Sequence, residues 1–482
     1  MTDLKKIICF GLVFMAALSS YAQKQKSPNV TISGLTSVID SGRKVCINDL
    51  TVTGTKRTKI YVVYREIHFK KGDSLVISQI QKELEQARQQ VYNTTLFNEV
   101  RFDLVAIDTS NVTIAAHVTE RWYLYPVPQF QLVDRNFNEW WKTYHRSFDR
   151  VNYGLKFVHY NLSGRRDQLR IYLINGYTRN ISFSYNNPYS NSALTQGFVI
   201  GAGYSQNRET PYKTDSSNKT LTYKKDYFTR SSLYAFAGVT IRKGLFKKHS
   251  FSAGYTHMKV DDSIVGPKYN PNYFNDQVST KDILEFSYTF QYSNVNNVSY
   301  ALKGKSGFLS FQKKGLGLTG GINMFTVEGG FNNYFILGKN WFSNIQLYGK
   351  VRLPFNQPYI NQRGLGYGDN YLRGLEYYVI DGVAAVLVKS TLKKKIVSFS
   401  IPFPLFPKLF TRIPFTFFAK AYTDAGYVYN KKTTYTYLNN RFLYTGGFGI
   451  DILTLYDINL RFEYSFNQLG ENGLFLHNQS GF

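Results

Sequence analysis

Residues able to do chemistry are scattered in this chain. The seven histidines, at 68, 117, 145, 159, 249, 257 and 477, stand far apart. No H-E-x-x-H pair, CxxC pair, G-x-S-x-G elbow or Walker loop accompanies them. His145 and Asp149 form no convincing hydrolase triad with any serine, so lipid hydrolysis is the weakest reading and no enzyme is expected. No cofactor or metal is implied. One cation does stand out. Arg373 lies in "DNYLRGLEYYVIDG" (369–382), between glycines and aromatics, where neither helix nor strand periodicity holds. A guanidinium in such a loop offers directed hydrogen bonds, and it is costly to enclose without a partner. Gly374 and Gly382 permit a tight path. The residue therefore reads as an anchor. A solvated outer loop is the plainer alternative.

The elements around it must be mostly strands. Aromatics make up 17% of 482 residues, with 39 Tyr and 38 Phe against 4 Trp and 4 Met. Tyr, Phe, Gly, Asn and Thr recur in short alternating runs, as in strands with one apolar and one polar face. The net charge is +26, yet the basic residues are spread through turns such as "IRKGLFKKH" and "TLKKKIV". No RNP-like or zinc-finger motif accompanies them, so no nucleic-acid partner is expected. An anionic lipid or lipopolysaccharide surface is a better counter-charge.

The N-terminus reads as an export signal. Lys5 and Lys6 precede "IICFGLVFMAAL", and "SSYAQ" offers a cleavage site after Ala22. Cys9 leaves with residues 1–22, and Cys46 alone remains, which excludes an internal disulfide. No later segment has the length and apolarity of a membrane helix, so a membrane span must be β. Residues 23–45 read as a polar linker.

Residues 46–120 differ in texture. "DSLVISQIQKELEQARQQVYN" reads as one long helix, with Leu75, Ile80, Leu84, Ala87 and Val91 near helical spacing and Asp73 or Ser74 as its cap. Strand-like "VCINDLTVTG", "NEVRFDLVAI" and "NVTIAAHVTE" flank it. The segment resembles a POTRA domain. "LTVTGTKRTKIYVVYREI" is similar to that family's first strand, glycine turn and first helix, ending in Arg65 and Glu66. "FKKGD", "TTLFNEVRFDL" and "VTERW" match its later landmarks.

From 121 to 482 the chain is a succession of about sixteen alternating segments, from "PVPQFQLVD" to "LFLHNQSGF", an even number as in closed bacterial barrels. Connections alternate between short ("SGRRD", "GKN") and long ("NRETPYKTDSSNKTLTYKKD"). Alternation turns Phe, Leu and Val to lipid and Thr, Ser, Gln and Asn to the lumen, with every backbone group satisfied in a closed ladder. The expected fold is mainly β: a 16-stranded antiparallel transmembrane β-barrel preceded by one small α+β POTRA domain. A soluble sandwich of this size would divide into domains.

A single POTRA-like domain before such a barrel resembles the BamA/TamA superfamily. "RWYLYPVPQFQLVDRNFNEWW" is similar to the lead-in of the first barrel strand in Bacteroidetes members. "NYGLKFVHYNLSGRRDQL" resembles the family's N-x-x-G-x-G turn, with Arg166 for the second glycine. "YNNPY", "SYALKGKSGFLSF" and "YTDAGYV" match further landmarks. Leu372-Arg373-Gly374-Leu375 stands where the family has V-R-G-[FY]. The resemblance implies that this loop folds into the lumen and that Arg373 meets a wall acid, here Asp424. Leu375 departs from the aromatic, and Thr391 stands where many members have a second acid.

The resemblance also implies a role in the outer membrane of a Gram-negative bacterium, with the POTRA-like domain in the periplasm. It implies insertion or translocation of other polypeptides. Client strands would add to the POTRA edge Glu99, Val100, Arg101, Phe102, Asp103 and Leu104 and pass to a seam between the first and last barrel strands. The last strand ends at Phe482 and is polar and glycine-containing, so its pairing is expected to be weak. Implied partners are outer-membrane lipid or lipopolysaccharide, unfolded outer-membrane or secreted clients, and periplasmic chaperones or lipoproteins. The rival from another class is a transport pore: a dedicated secretion channel, or a passive barrel plugged by the arginine loop.

Overall fold

The computed structural model describes residues 30–33, 42–132, 148–316, 322–402, 412–431 and 436–479. The expected signal peptide (1–22) and Phe482 lie outside these residues.

The first sheet comprises β1 (Val30–Ser33), β2 (Lys44–Thr53), β3 (Ser74–Val76), β4 (Phe97–Ala106) and β5 (Asn111–Glu120), in the order β1-β4-β5-β2-β3. Alternation explains its buried face: Val112, Ile114, Ala116 and Val118 of β5 all point inward. The helix Ile80–Tyr92 lays Ile80, Leu84, Ala87 and Val91 on that face, three to four residues apart. A short helix, Ile60–Tyr64, adds Val62 and Val63.

Two expectations need correction here. The long helix begins at Ile80, because Ser74–Val76 instead pairs with Lys44–Cys46 as the sheet's last strand. Val76 favours the pleated surface, Leu75 is buried under the sheet, and a 3-10 turn over Ile77–Gln79 leads into the helix. Residues 23–45 are also more than a linker. Val30–Ser33 forms β1, parallel to β4 and opposite Phe102–Val105. The edge expected over Glu99–Leu104 is therefore partly covered by the chain itself.

All sixteen alternating segments form strands of one antiparallel sheet. On its first half are β6 (Leu124–Leu132), β7 (Val151–Tyr160), β8 (Gln168–Gly176), β9 (Thr178–Asn187) and β10 (Gln196–Asn207). A hairpin, β11 (Glu209–Thr214) and β12 (Thr220–Lys224), rises from the long polar connection after β10. Next come β13 (Arg230–Lys243), β14 (Lys247–Val260), β15 (Thr280–Val295), β16 (Gly304–Lys314), β17 (Met324–Gly338) and β18 (Trp341–Leu353). The small pair β19 (Arg363–Leu365) and β20 (Ile380–Asp381) belongs to the connection that carries Arg373. Then follow β21 (Ala384–Pro402), β22 (Arg412–Tyr429), β23 (Phe442–Leu453), β24 (Asn459–Asn467) and β25 (Asn472–Gln479).

The two faces differ as lipid and lumen require. Leu233, Val239 and Ile241 of β13, Phe251 and Tyr255 of β14, and Leu284 and Phe286 of β15 are exposed on the outside. So large a continuous apolar band is solvated by hydrocarbon, not water. Inside, hydroxyls pair across strands, as in Ser252–Ser287 at 2.7 Å and Thr289–Ser310 at 2.9 Å. Among the described residues no helix is long and apolar enough to cross a membrane.

The first domain is docked on the short-turn end of the barrel. Arg57 Nε donates to Asn161 O (3.0 Å) and Arg166 Nε to Thr94 O (3.0 Å), using the turn after β7. Arg65 donates to Leu194 O after β9 and to Gly244 O after β13. Asn93 Nδ2 donates to Val295 O at the end of β15 (2.8 Å), and Arg121 Nη2 to Asp457 after β23 (2.8 Å). Tyr189 enters the first domain's apolar core, and its hydroxyl donates to Glu66 (2.7 Å).

At the centre of this contact, Glu66 is 1% exposed and takes two bonds from Arg242, one of them 2.6 Å. Burial pushes the Glu66 carboxyl up, but the Arg242 guanidinium outweighs it and holds the group below its ordinary 4.5. A depressed carboxyl contributes stability above its unfolded value, and that contribution is lost as pH falls through the folded value. Docking should therefore persist at pH 5 and fail only on stronger acidification below 4.5. Arg242→Gln leaves the buried Glu66 charge without its counter-charge and with only the Tyr189 hydroxyl donating to it, a loss of about 3–5 kcal/mol. The variant should undock at neutral pH, read as faster hydrogen exchange over residues 57–67.

Candidate functional site: the arginine clamp inside the barrel

The connection between β18 and β21 turns inward. Leu372 and Leu375 flank Arg373 and sink into a cluster with Leu365, Tyr378, Ile380, Val428 and Leu443. Leu375 thus fills a core position in place of an aromatic. Gly374 has φ +99°, and a Cβ there would stand 2.9 Å from that of Ser465. Its carbonyl accepts from Asn467 Nδ2 at 2.8 Å. Only glycine suits both the backbone and the close wall.

Between the two leucines, Arg373 is 8% exposed and Asp424 of β22 1%. The Arg373 backbone N and Nε each donate to Asp424 Oδ2 at 2.9 Å, and Nη2 reaches Oδ1. Nη1 donates to Thr391 Oγ1 (3.0 Å) and Nη2 to Ser390 O (3.3 Å). The guanidinium lies 4.0 Å over the Tyr422 ring. This fork-on-carboxylate geometry with an aromatic platform suits arginine and not lysine.

Sequence reasoning missed the second acid. Glu463 of β24 stands 4.0 Å from Arg373 Nη1 and 2.6 Å from Lys420 Nζ. Lys420 and Lys393 both reach Asp451, which also accepts from the Tyr300 hydroxyl at 2.8 Å. A usable signal was present in "NLRFEYSF", where Arg461, Glu463 and Ser465 alternate with Leu460, Phe462 and Phe466. A carboxylate at lumen parity between lipid-facing side chains needs an inner partner.

The loop also grips the last hairpin. Tyr371 stacks on His477 of β25 (5.6 Å), Tyr377 meets Phe475 at a tilt (5.5 Å), and Tyr378 OH donates to Glu471 (2.6 Å). His477 Nε2 stands 3.5 Å from both Glu376 and Glu463. Of the expected edge residues, Arg101 and Asp103 pair on the solvent side of β4 (2.9 Å), while Phe102 and Leu104 are wholly buried. Glu99 and Val100 precede the part of β4 that β1 covers. No group of metal-ligating side chains occurs among the described residues.

The described residues thus form a small α+β domain seated on a 16-stranded antiparallel barrel with an arginine-anchored inner loop. Residues 45–121 match the POTRA family, described as surface antigen variable number repeat. BamA from Haemophilus ducreyi lacking POTRA domains 1–3 has a similar structure, at 15% identity and TM-score 0.50, over 91% of this chain and 85% of that one. CdiB from Acinetobacter baumannii aligns at 12% identity and TM-score 0.46, over 90% and 74%. CdiB from Escherichia coli aligns at 12% and 0.45, over 96% and 95%. A comparison with curated proteins gives no match. The chain thus combines a POTRA-family domain with a barrel whose fold is similar to that of the Haemophilus ducreyi BamA structure.

The clamp's chemistry is structural. Removing one partner of a buried ion pair costs about 3–5 kcal/mol, because the other charge stays behind. Asp424→Asn and Arg373→Gln, each of which leaves the other charge buried without its counter-charge, should therefore both lower the temperature at which the barrel loses its folded mobility in detergent gels. Thr391→Val, which removes one neutral acceptor, should cost only about 1–3 kcal/mol and lower it less. An equal loss in all three would contradict the assigned order.

Proposed function

We propose that this protein is an outer-membrane factor that inserts other polypeptides into the membrane or passes them across it, and that it is not an enzyme. The observation that carries the reading is the seating of a strand-pairing domain on one end of a lipid-facing barrel. Clients would be unfolded outer-membrane or secreted chains, captured in extended form by strand addition to the POTRA sheet. The domain would lie in the periplasm of a Gram-negative cell, because the barrel's short-turn end carries it. Lipid or lipopolysaccharide would surround the barrel, and periplasmic chaperones or lipoproteins would deliver clients.

The barrel end of the path would be the seam. Among the described residues β6 and β25 share no ladder, whereas every other neighbouring pair in the sheet does. Terminal strands without a common ladder present backbone groups that a client hairpin can take up. The inner loop would hold β25 in place through Tyr371, Tyr377 and Glu376 while the client pairs.

Depletion of the protein, followed by quantitative comparison of outer membrane, periplasm and medium, tests this reading. Loss of many barrel proteins from the outer membrane is the expected result. Build-up of one exported protein in the periplasm would redirect the reading to a dedicated secretion pore. No change in any fraction would overturn both. A disulfide joining β6 to β25 should abolish the effect of the wild-type chain in complementation, and full activity of the joined form would rule out seam opening.

A further inference from the structure

The edge that should receive a client strand is held by the chain itself. β1 runs parallel to β4, with Val30 opposite Phe102, Thr31 opposite Asp103, Ile32 opposite Leu104 and Ser33 opposite Val105. It makes β1, not β4, the outermost strand of the sheet. Val30 is buried in the domain core, and Ile32 packs partly against the same cluster. Thr31 is half-buried and Ser33 exposed.

We infer that β1 is a displaceable placeholder, which occupies the client-binding edge until a client strand takes its position. The inference rests on the strand-capture reading above. An uncovered strand edge is a hazard, since its N–H and C=O groups would recruit any extended chain. A short self-strand removes that hazard at little cost to release. Among the described residues β1 has four against ten in β4, and parallel ladders are slightly weaker per residue. A longer strand could also pair with the part of β4 preceding Phe102, which β1 does not reach among the described residues.

The positions that β1 fills define what can replace it. Val30 and Ile32 occupy two apolar places, two residues apart, against the domain core. The opposite face of the edge carries Arg101, Asp103 and His117, with His117 Nε2 3.2 Å from Asp103. The fitting ligand is an extended polypeptide with apolar residues at alternate positions and polar ones between. That is the pattern of an outer-membrane barrel strand before insertion.

The test uses the full chain in detergent, with a photoreactive synthetic peptide bearing the β13 sequence, Arg230–Lys243. Cross-links to β4 are mapped by mass spectrometry. In a Cys46→Ser background, Thr31→Cys with Asp103→Cys should lock β1 in place. The lock should reduce cross-linking to β4 by about tenfold or more, the change expected when roughly 1.4 kcal/mol or more of competition is made permanent. Reductant should restore it in the same molecules, which controls for misfolding. Val30→Asp with Ile32→Asp should raise it above wild type. Equal cross-linking in locked and reduced forms would overturn the placeholder while leaving strand capture standing. Absence of cross-links to the domain in every form, the β1-disrupted variant included, would overturn strand capture and the placeholder with it.

Discussion

A charge enclosed in a barrel must find its counter-charge there, and Arg373 depends wholly on this. Its guanidinium and backbone N–H converge on one carboxylate, Asp424, and its remaining donors go to Thr391 and a strand carbonyl. The leucines on either side can bury only if the arginine is neutralised in the right place. Once they do, the connection is fixed inside the barrel and lies along β24 and β25. The loop's path, the packing of the last hairpin and the filling of the lumen thus follow from one ion pair.

That pair is one end of a longer polar series. Glu463 links Arg373 to Lys420, Lys420 links it to Asp451, and Asp451 accepts from Tyr300 in the turn after β15. The same turn holds Asn297, which donates to Asp457, and Asp457 in turn takes bonds from Tyr92 and Arg121 of the POTRA domain. The inner loop and the docked domain are therefore joined by contiguous contacts. The geometry supplies a shared wall on which both are seated.

Much of this fold was legible in the residues. All sixteen barrel strands follow from strict alternation, since a lipid-facing side chain at every second position leaves no other period. The site was legible only in part. Arg373 stands out by its glycine and aromatic neighbours, whereas Glu463 is hidden in a strand whose partners lie far off in sequence. The β11–β12 hairpin escaped notice because its two short strands lie inside a long, mostly polar connection, with Tyr212, Leu221 and Tyr223 as its few apolar residues. Docking was hidden for a similar reason: Glu66 and Arg242 lie 176 positions apart and look like ordinary surface charges. β1 was missed because four residues in a polar stretch give too short a pattern to read.

The account joins three surfaces into one path: an edge on the POTRA sheet, the seated domain, and the two terminal strands of the barrel. Site-specific photo-cross-linking in living cells tests this most directly, with the reactive group placed in turn at Val105 beside the edge, at Val127 in β6 and at Leu474 in β25. The account predicts that the same newly exported polypeptides are captured at all three positions, the edge before the strands in a pulse-chase. Capture of no exported polypeptide at Val105, or of wholly different ones at the edge and at the terminal strands, would contradict it.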